Sequence, residues 1–202
     1  MKTASPEPST RELIVDTADA LFYRRGFERT SFADIADHVK ISRGNFYHHF
    51  KAKDDILSAV IALRKAKTQA MLEAWASKGK TPVERLRWFA EMLIENRKDI
   101  QRFGCPVGTL CAELSKLEHP SQGDAGMIFS QFRQWLRKQF IAMGCTDEAD
   151  TLAMHLLARS QGIAALANAF HDETFIRREV ELIAAWLQSL RPKGRKQLGN
   201  LA

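Results

Sequence analysis

The chain has only three cysteines, Cys105, Cys111 and Cys145. The number is odd and no pair has CxxC spacing, which argues against a disulfide framework and against a structural zinc site. No apolar run approaches the roughly 20 residues that a membrane span needs. The start, MKTASPEPST, is polar and lacks the apolar stretch of a secretory signal. The expectation is a cytoplasmic protein that does not engage a membrane. Strand-like alternation and internal repeats are missing, and so are a Gly-x-Ser-x-Gly motif, a phosphate-binding loop and any metal-ligand spacing. No catalytic residue, no metal site and no cofactor is therefore expected. A cysteine enzyme pairing Cys105 with His119 or His155 is the weaker alternative. Three cysteines and six histidines supply such pairs by chance.

What is present fits a chain with a real core. Its 202 residues are 45% hydrophobic and 27% charged, enough for one medium or two small globular units. The net charge of +6 suits a polyanionic partner, and its placement matters more than its size. From Lys40 to Lys53 there are four cations (Lys40, Arg43, Lys51 and Lys53) and no carboxylate. A second basic group, Arg191, Lys193, Arg195 and Lys196, lies where Pro192 and Gly194 stop the last helix. Residues 191–202 read as a flexible basic tail.

The acid-free stretch belongs to a pattern of two short helices. Phe32, Ile35, Ala36 and Val39 recur at the spacing of one helix face. Ser31 can cap that helix, with Asp34 three residues on. Lys40 and Ile41 form a turn, and Ser42 caps a second helix from Arg43 to Phe50. There Phe46 and Phe50 face inward, four residues apart. Arg43 and Tyr47 share another face, and Gly44, Asn45, His48 and His49 complete the exposed surface. A preceding helix, about 11–25, carries Ile14, Ala18, Leu21 and Phe22 inward. Ser9 and Glu12 stand at capping-box spacing before it, and Gly26 ends it. Three such helices are marginal alone and should lean on helices from later in the chain.

The pattern TSFADIADHVKISRGNFYHHFKAKDDIL resembles the helix-turn-helix of tetracycline-repressor (TetR) family regulators. Residues Ala18, Leu21, Phe22, Gly26, Phe27, Thr30, Ile35, Ala36, Gly44, Tyr47, Phe50, Lys53 and Leu57 carry the resemblance. It spans residues 9–69, with the recognition motif at 31–50. The family commonly has an aliphatic residue where this chain has Phe46. The resemblance implies an all-α fold of about nine helices. It also implies a DNA-binding domain at 9–69 and a ligand-binding and dimerisation domain at 70–190. Such regulators act as dimeric repressors on a palindromic, double-stranded operator, released by a small-molecule effector.

In a helix-turn-helix the second helix enters the major groove. Arg43, Asn45 and His48 are expected to read bases, since arginine can pair with guanine and asparagine with adenine. Gly44 permits close backbone approach. Tyr47 and Lys53 match positions that contact phosphate in the family; packing is the weaker alternative for Tyr47. Thr30 and Ser31 begin a helix, as Lys53 does, and helix N-termini favour anions. Ser42 and Lys51 complete the expected DNA contacts. His49 and His38 read as ordinary surface residues.

The remaining chain reads as further helices, at about 53–77, 82–98, 107–117, 125–143, 147–170 and 174–190, with a loop at His119–Gly123. Trp88, Phe89, Met92, Phe103, Phe129, Phe132 and Trp135 on the central helices, with Cys105 and His155, are candidates to line an apolar effector pocket. At helical spacing such residues are more often plain core. The helix at 147–170 has Ala153, Leu156, Leu157, Ser160, Ile163, Ala164 and Ala167 on one face. The last helix has Ile176, Val180, Ile183, Ala184 and Leu187. These faces could fill the protomer or pair with a second copy; the resemblance favours a homodimer through the last two helices. Gly104-Cys105-Pro106-Val107-Gly108 and the adjoining Thr109–Leu114 look like a segment of a TetR subgroup in which some members respond to electrophiles. Cys105 before a helix N-terminus could be a sensing thiol, with Cys111 as its resolving partner, or both could be small buried hydrophobes.

Overall fold

The computed structural model describes residues 8–190. The basic tail at 191–202 lies outside them. Ten helices follow in order: α1 (Thr10–Arg25), α2 (Phe32–Val39), α3 (Arg43–His49), α4 (Lys53–Lys78), α5 (Pro82–Glu95), α6 (Arg97–Phe103), α7 (Pro106–Lys116), α8 (Gln122–Ala142), α9 (Ala149–Phe170) and α10 (Glu173–Ser189). Taking α5 and α6 as one, since a single residue parts them, gives the expected nine. That residue, Asn96, turns its side-chain amide back onto Met92 O at 2.8 Å and so ends α5 early. Among the described residues there is no strand, and no helix is long and apolar enough to cross a membrane.

Local chemistry explains the helix starts. Ser9 with Glu12 and Ser31 with Asp34 form complete capping boxes at α1 and α2. Thr81 caps α5 ahead of Pro82, and Asp172 caps α10 by accepting from Thr174 N and Phe175 N. α8 begins at Gln122, so the expected loop at 119–123 is shorter than the sequence suggests.

The chain forms two compact units. The first comprises residues up to Ala70 together with Pro106–Phe129. Its core gathers Ile14, Ala18, Leu21 and Phe22 of α1, Ile35 of α2, Phe46 of α3 and Ile56, Leu57 and Val60 of α4. Leu110 and Leu114 of α7 and Ala125 of α8 bury in the same core. Pro106–Phe129, expected with the ligand-binding domain, is therefore part of the unit that holds the helix-turn-helix. The small N-terminal helices complete their core with apolar side chains from later in the chain. Arg64, nearly buried, ties this unit further by donating to Asp19 Oδ1 at 2.6 Å and to the Pro106 carbonyl.

The second unit comprises Met71–Cys105 and residues from Ser130 on. α10 packs on α5 and α9, and α9 packs on α6. Leu86, Phe89 and Leu93 of α5 and Ile176, Val180, Ile183 and Leu187 of α10 are buried in this core. The faces expected either to fill the protomer or to pair with a copy are resolved toward the protomer. Ala153, Leu156, Leu157, Ser160, Ile163, Ala164 and Ala167 are buried within the unit, as are the α10 residues except half-buried Ala184. What faces outward is the other side of α9: Met154, Ala158, Gly162, Ala165, Leu166 and Ala169, with Leu182 and Ala185 of α10.

Candidate nucleic-acid interface

α3 has seven residues, too few to hold a helix by backbone bonds alone. It is pinned instead. Phe46 is 1% exposed and lies edge-on to Phe32 at 5.1 Å. Ser42 Oγ accepts from Asn45 N at 3.3 Å at one end. At the other end the Lys51 ammonium donates to Tyr47 O at 2.6 Å. The turn before α3 places Lys40 in the left-handed region (φ 60), and Ile41 N donates to Ala36 O, closing the end of α2.

With its apolar side anchored, α3 turns Arg43, Gly44, Asn45, Tyr47 and His48 to the surface. A Cβ on Gly44 would meet no atom of the protein within 4 Å. Tyr47 is 46% exposed, yet its ring also leans on Phe32 at 5.5 Å. Ser31, Phe32, Ala33, Arg43 and Tyr47 line a shallow groove between the start of α2 and α3. Ser42 and Lys51 are also exposed, each engaged with the α3 backbone as above.

Three expected phosphate contacts sit differently. Thr30 is fully buried and its hydroxyl donates to Gly26 O at 2.7 Å, so it fastens the turn after α1. Ser31 is exposed, but its hydroxyl and its backbone N–H both donate to Asp34 Oδ2. Those bonds hold the Asp34 carboxyl below its ordinary range. α2 therefore brings its own anion to its N-terminus. Lys53 is half-buried; its ammonium lies 4.2 Å over the Phe27 ring and donates to Phe27 O at 3.1 Å and Glu28 O at 3.3 Å. At the start of α4, Asp55 already accepts from Ala52 N at 2.9 Å and from Lys51 N at 3.3 Å.

One residue of the site escapes sequence reasoning. Glu113 of α7 accepts from Phe27 N at 2.9 Å and from Glu28 N at 3.0 Å, on the loop between α1 and α2. Its only sequence signal is membership of the Gly104–Leu114 segment.

The candidate pocket residues divide. Phe89 and Phe132 are buried against each other at 5.6 Å, and Trp135 is buried beside Trp75 at 5.7 Å. Trp88, Met92, Phe103 and Cys105 are half-buried in the same unit. Phe129, also half-buried, falls in the first unit instead. His155 does not belong with them. It is exposed on the outer side of α9, its ring 5.1 Å from Trp186 of α10. Cys111 packs against the first unit's core. His119 accepts from Ser121 N at 3.1 Å and faces Phe27 and Asp54.

A short capped helix displaying Arg43, Asn45 and His48 after a tight turn defines a helix-turn-helix DNA-binding protein. Residues 14–60 match the family model "Bacterial regulatory proteins, tetR family", and residues 82–181 match "Transcriptional regulator LmrA/YxaF-like, C-terminal domain". The chain belongs to the TetR family of transcriptional regulators and is of its DNA-binding repressor type. An uncharacterized HTH-type transcriptional regulator in the lacX 3' region of Lactococcus lactis subsp. lactis is 27% identical over 87% of this chain and 91% of that protein. The transcriptional regulator TtgR of Pseudomonas putida is 37% identical over 30% of this chain and 29% of its own length. In fold, the chain is similar to a TetR transcriptional regulator from Legionella pneumophila, with a TM-score of 0.78, 23% identity and coverage of 92% of this chain and 99% of that one.

Proposed function

We propose that this protein is a homodimeric repressor that binds a palindromic operator and leaves it when an apolar small molecule binds the second unit. The observation that carries the reading is the outward stripe of α9 and α10. Met154 is 42% exposed, Leu166 45% and Leu182 49%, with the small residues Ala158, Gly162 and Ala165 between them. Small residues on adjoining helices let a second copy approach closely. A two-fold pair of protomers carries two α3 helices, one for each half-site of a palindrome. The aromatic pairs Phe89–Phe132 and Trp75–Trp135, with Trp88, Met92, Phe103 and Cys105, make the second-unit helices suited to an apolar effector. The alternative is an electrophile- or oxidant-sensing repressor that uses the Cys105 thiol; Cys111, its candidate resolving partner, packs against the first unit's core.

Within the head, Arg43, Asn45 and His48 read bases, and Tyr47, Ser42 and Lys51 meet the backbone. Selecting duplexes from a randomised pool tests the whole reading. The expected product is a palindrome binding two protomers or a multiple of two; a single unrepeated site bound by one protomer would overturn it. On that duplex, Arg43→Ala should cost about 1–3 kcal/mol and relax preference at one base pair per half-site. Equal loss on selected and random DNA would remove Arg43 from base reading.

A further inference from the structure

The loop from Gly26 to Ser31 joins α1 to α2, so it sets where α2 stands and, through α2, where α3 stands. Both polar edges of this loop are gripped at the same two residues. Glu113 takes the N–H groups of Phe27 and Glu28, at 2.9 and 3.0 Å. The Lys53 ammonium donates hydrogen bonds to the carbonyl oxygens of the same pair, at 3.1 and 3.3 Å. The Phe27 ring is 3% exposed, with Phe22 and His119 each 5.3 Å away and the Lys53 ammonium above it. Gly26 leaves room for the Glu113 carboxylate beside the loop. Its φ is +92, and a Cβ there would stand 2.8 Å from Glu113 Oε1. The carboxylate, the glycine and the loop amides thus form one fitted joint.

We infer that Glu113 is a positioning residue for operator binding, although it lies in the stretch matched by the C-terminal-domain model and outside the matched helix-turn-helix. Hydrogen bonds to a carboxylate are about twice as strong as neutral ones. Here two of them hold successive amides that would otherwise have only water. A head whose loop is loose must be ordered when it binds, and that ordering is subtracted from affinity. Base reading suffers most, because it needs α3 in one pose. Phosphate contacts tolerate small shifts.

Glu113→Gln keeps the shape of the side chain but has only one acceptor oxygen, so its NH2 would confront a loop N–H, donor against donor. Affinity for a duplex selected by the wild-type protein should fall roughly tenfold, the effect of losing one charge-assisted bond. Affinity for random DNA should fall less. Amide exchange at Phe27 and Glu28 should quicken. Glu113→Ala should do the same, and it should also soften the loss caused by Gly26→Ala, since the clashing carboxylate is gone while the backbone strain stays. Binding is measured well below each variant's melting temperature, so that unfolding does not enter. Selected-duplex affinity within twofold of wild type for both Glu113→Gln and Glu113→Ala would overturn the assignment. So would equal losses on selected and random DNA, which a merely weakened fold would produce.

Discussion

Phe46→Ala is expected to lower stability by about 3–5 kcal/mol and to abolish operator binding. The ring is 1% exposed and is the principal anchor of α3, a helix too short to stand on its own bonds. Alanine would leave a cavity facing Phe32, and that partner cannot collapse into it without carrying α2 along. The residues on the far face, Arg43, Asn45 and His48, depend on that anchor for their place. Phe46→Leu fills most of the volume and should cost under about 1.5 kcal/mol, consistent with the aliphatic residue common here in the family. Urea unfolding followed by circular dichroism measures the stability, and fluorescence anisotropy on the selected duplex measures binding. A Phe46→Ala protein within about 1 kcal/mol of wild type would mean that α3 is held by something else.

The second large effect is expected at a residue with open space above it in the protomer. Gly162 sits mid-way along the outward stripe of α9, and a Cβ there would meet no atom within 4 Å. For the isolated protomer, Gly162→Arg should be neutral or stabilising by about 0.5–1 kcal/mol, because glycine is a poor helix-interior residue. In a close helix-helix interface the same arginine would be a buried, unpaired charge with no room for its stem. The proposed dimer should therefore come apart while each protomer keeps its melting temperature or raises it. Operator affinity should fall by about 10²–10⁴-fold, because the two half-sites would no longer be bound by linked modules. Light scattering gives the mass and a binding titration gives the affinity. A variant that stays dimeric and binds like wild type would refute the assignment of this stripe.

Phe46 and Gly162 belong to features of unequal legibility. Helix starts are readable from sequence because a capping box is a local matter: Ser31 and Asp34 find each other within one turn whatever the rest of the chain does. The inward side of α3 is readable because Phe46 and Phe50 are the large apolar residues in a polar stretch. α9 is harder. It has apolar or small residues on nearly every side, so periodicity alone does not say which face the protomer buries. The choice falls to the neighbours, α6 and α10, which pack on α9 and leave Met154, Gly162 and Leu166 outside while Leu156, Ile163 and Ala167 are buried. His155, one residue from a buried leucine, consequently lies on the outer face.

The sequence by itself determined an all-helical chain, the helix-turn-helix and the exposed side of its second helix, since these depend on contacts a few residues apart. Tertiary structure alone decided that Lys53 turns inward to Phe27 and Glu28, that Thr30 is buried, and that Glu113 reaches across 86 residues of chain to the Phe27 amide. The physical reason is the same in each case. A long or polar side chain has several partners of similar energy, and which it takes is set by the donors and acceptors that folding brings within about 3 Å of it.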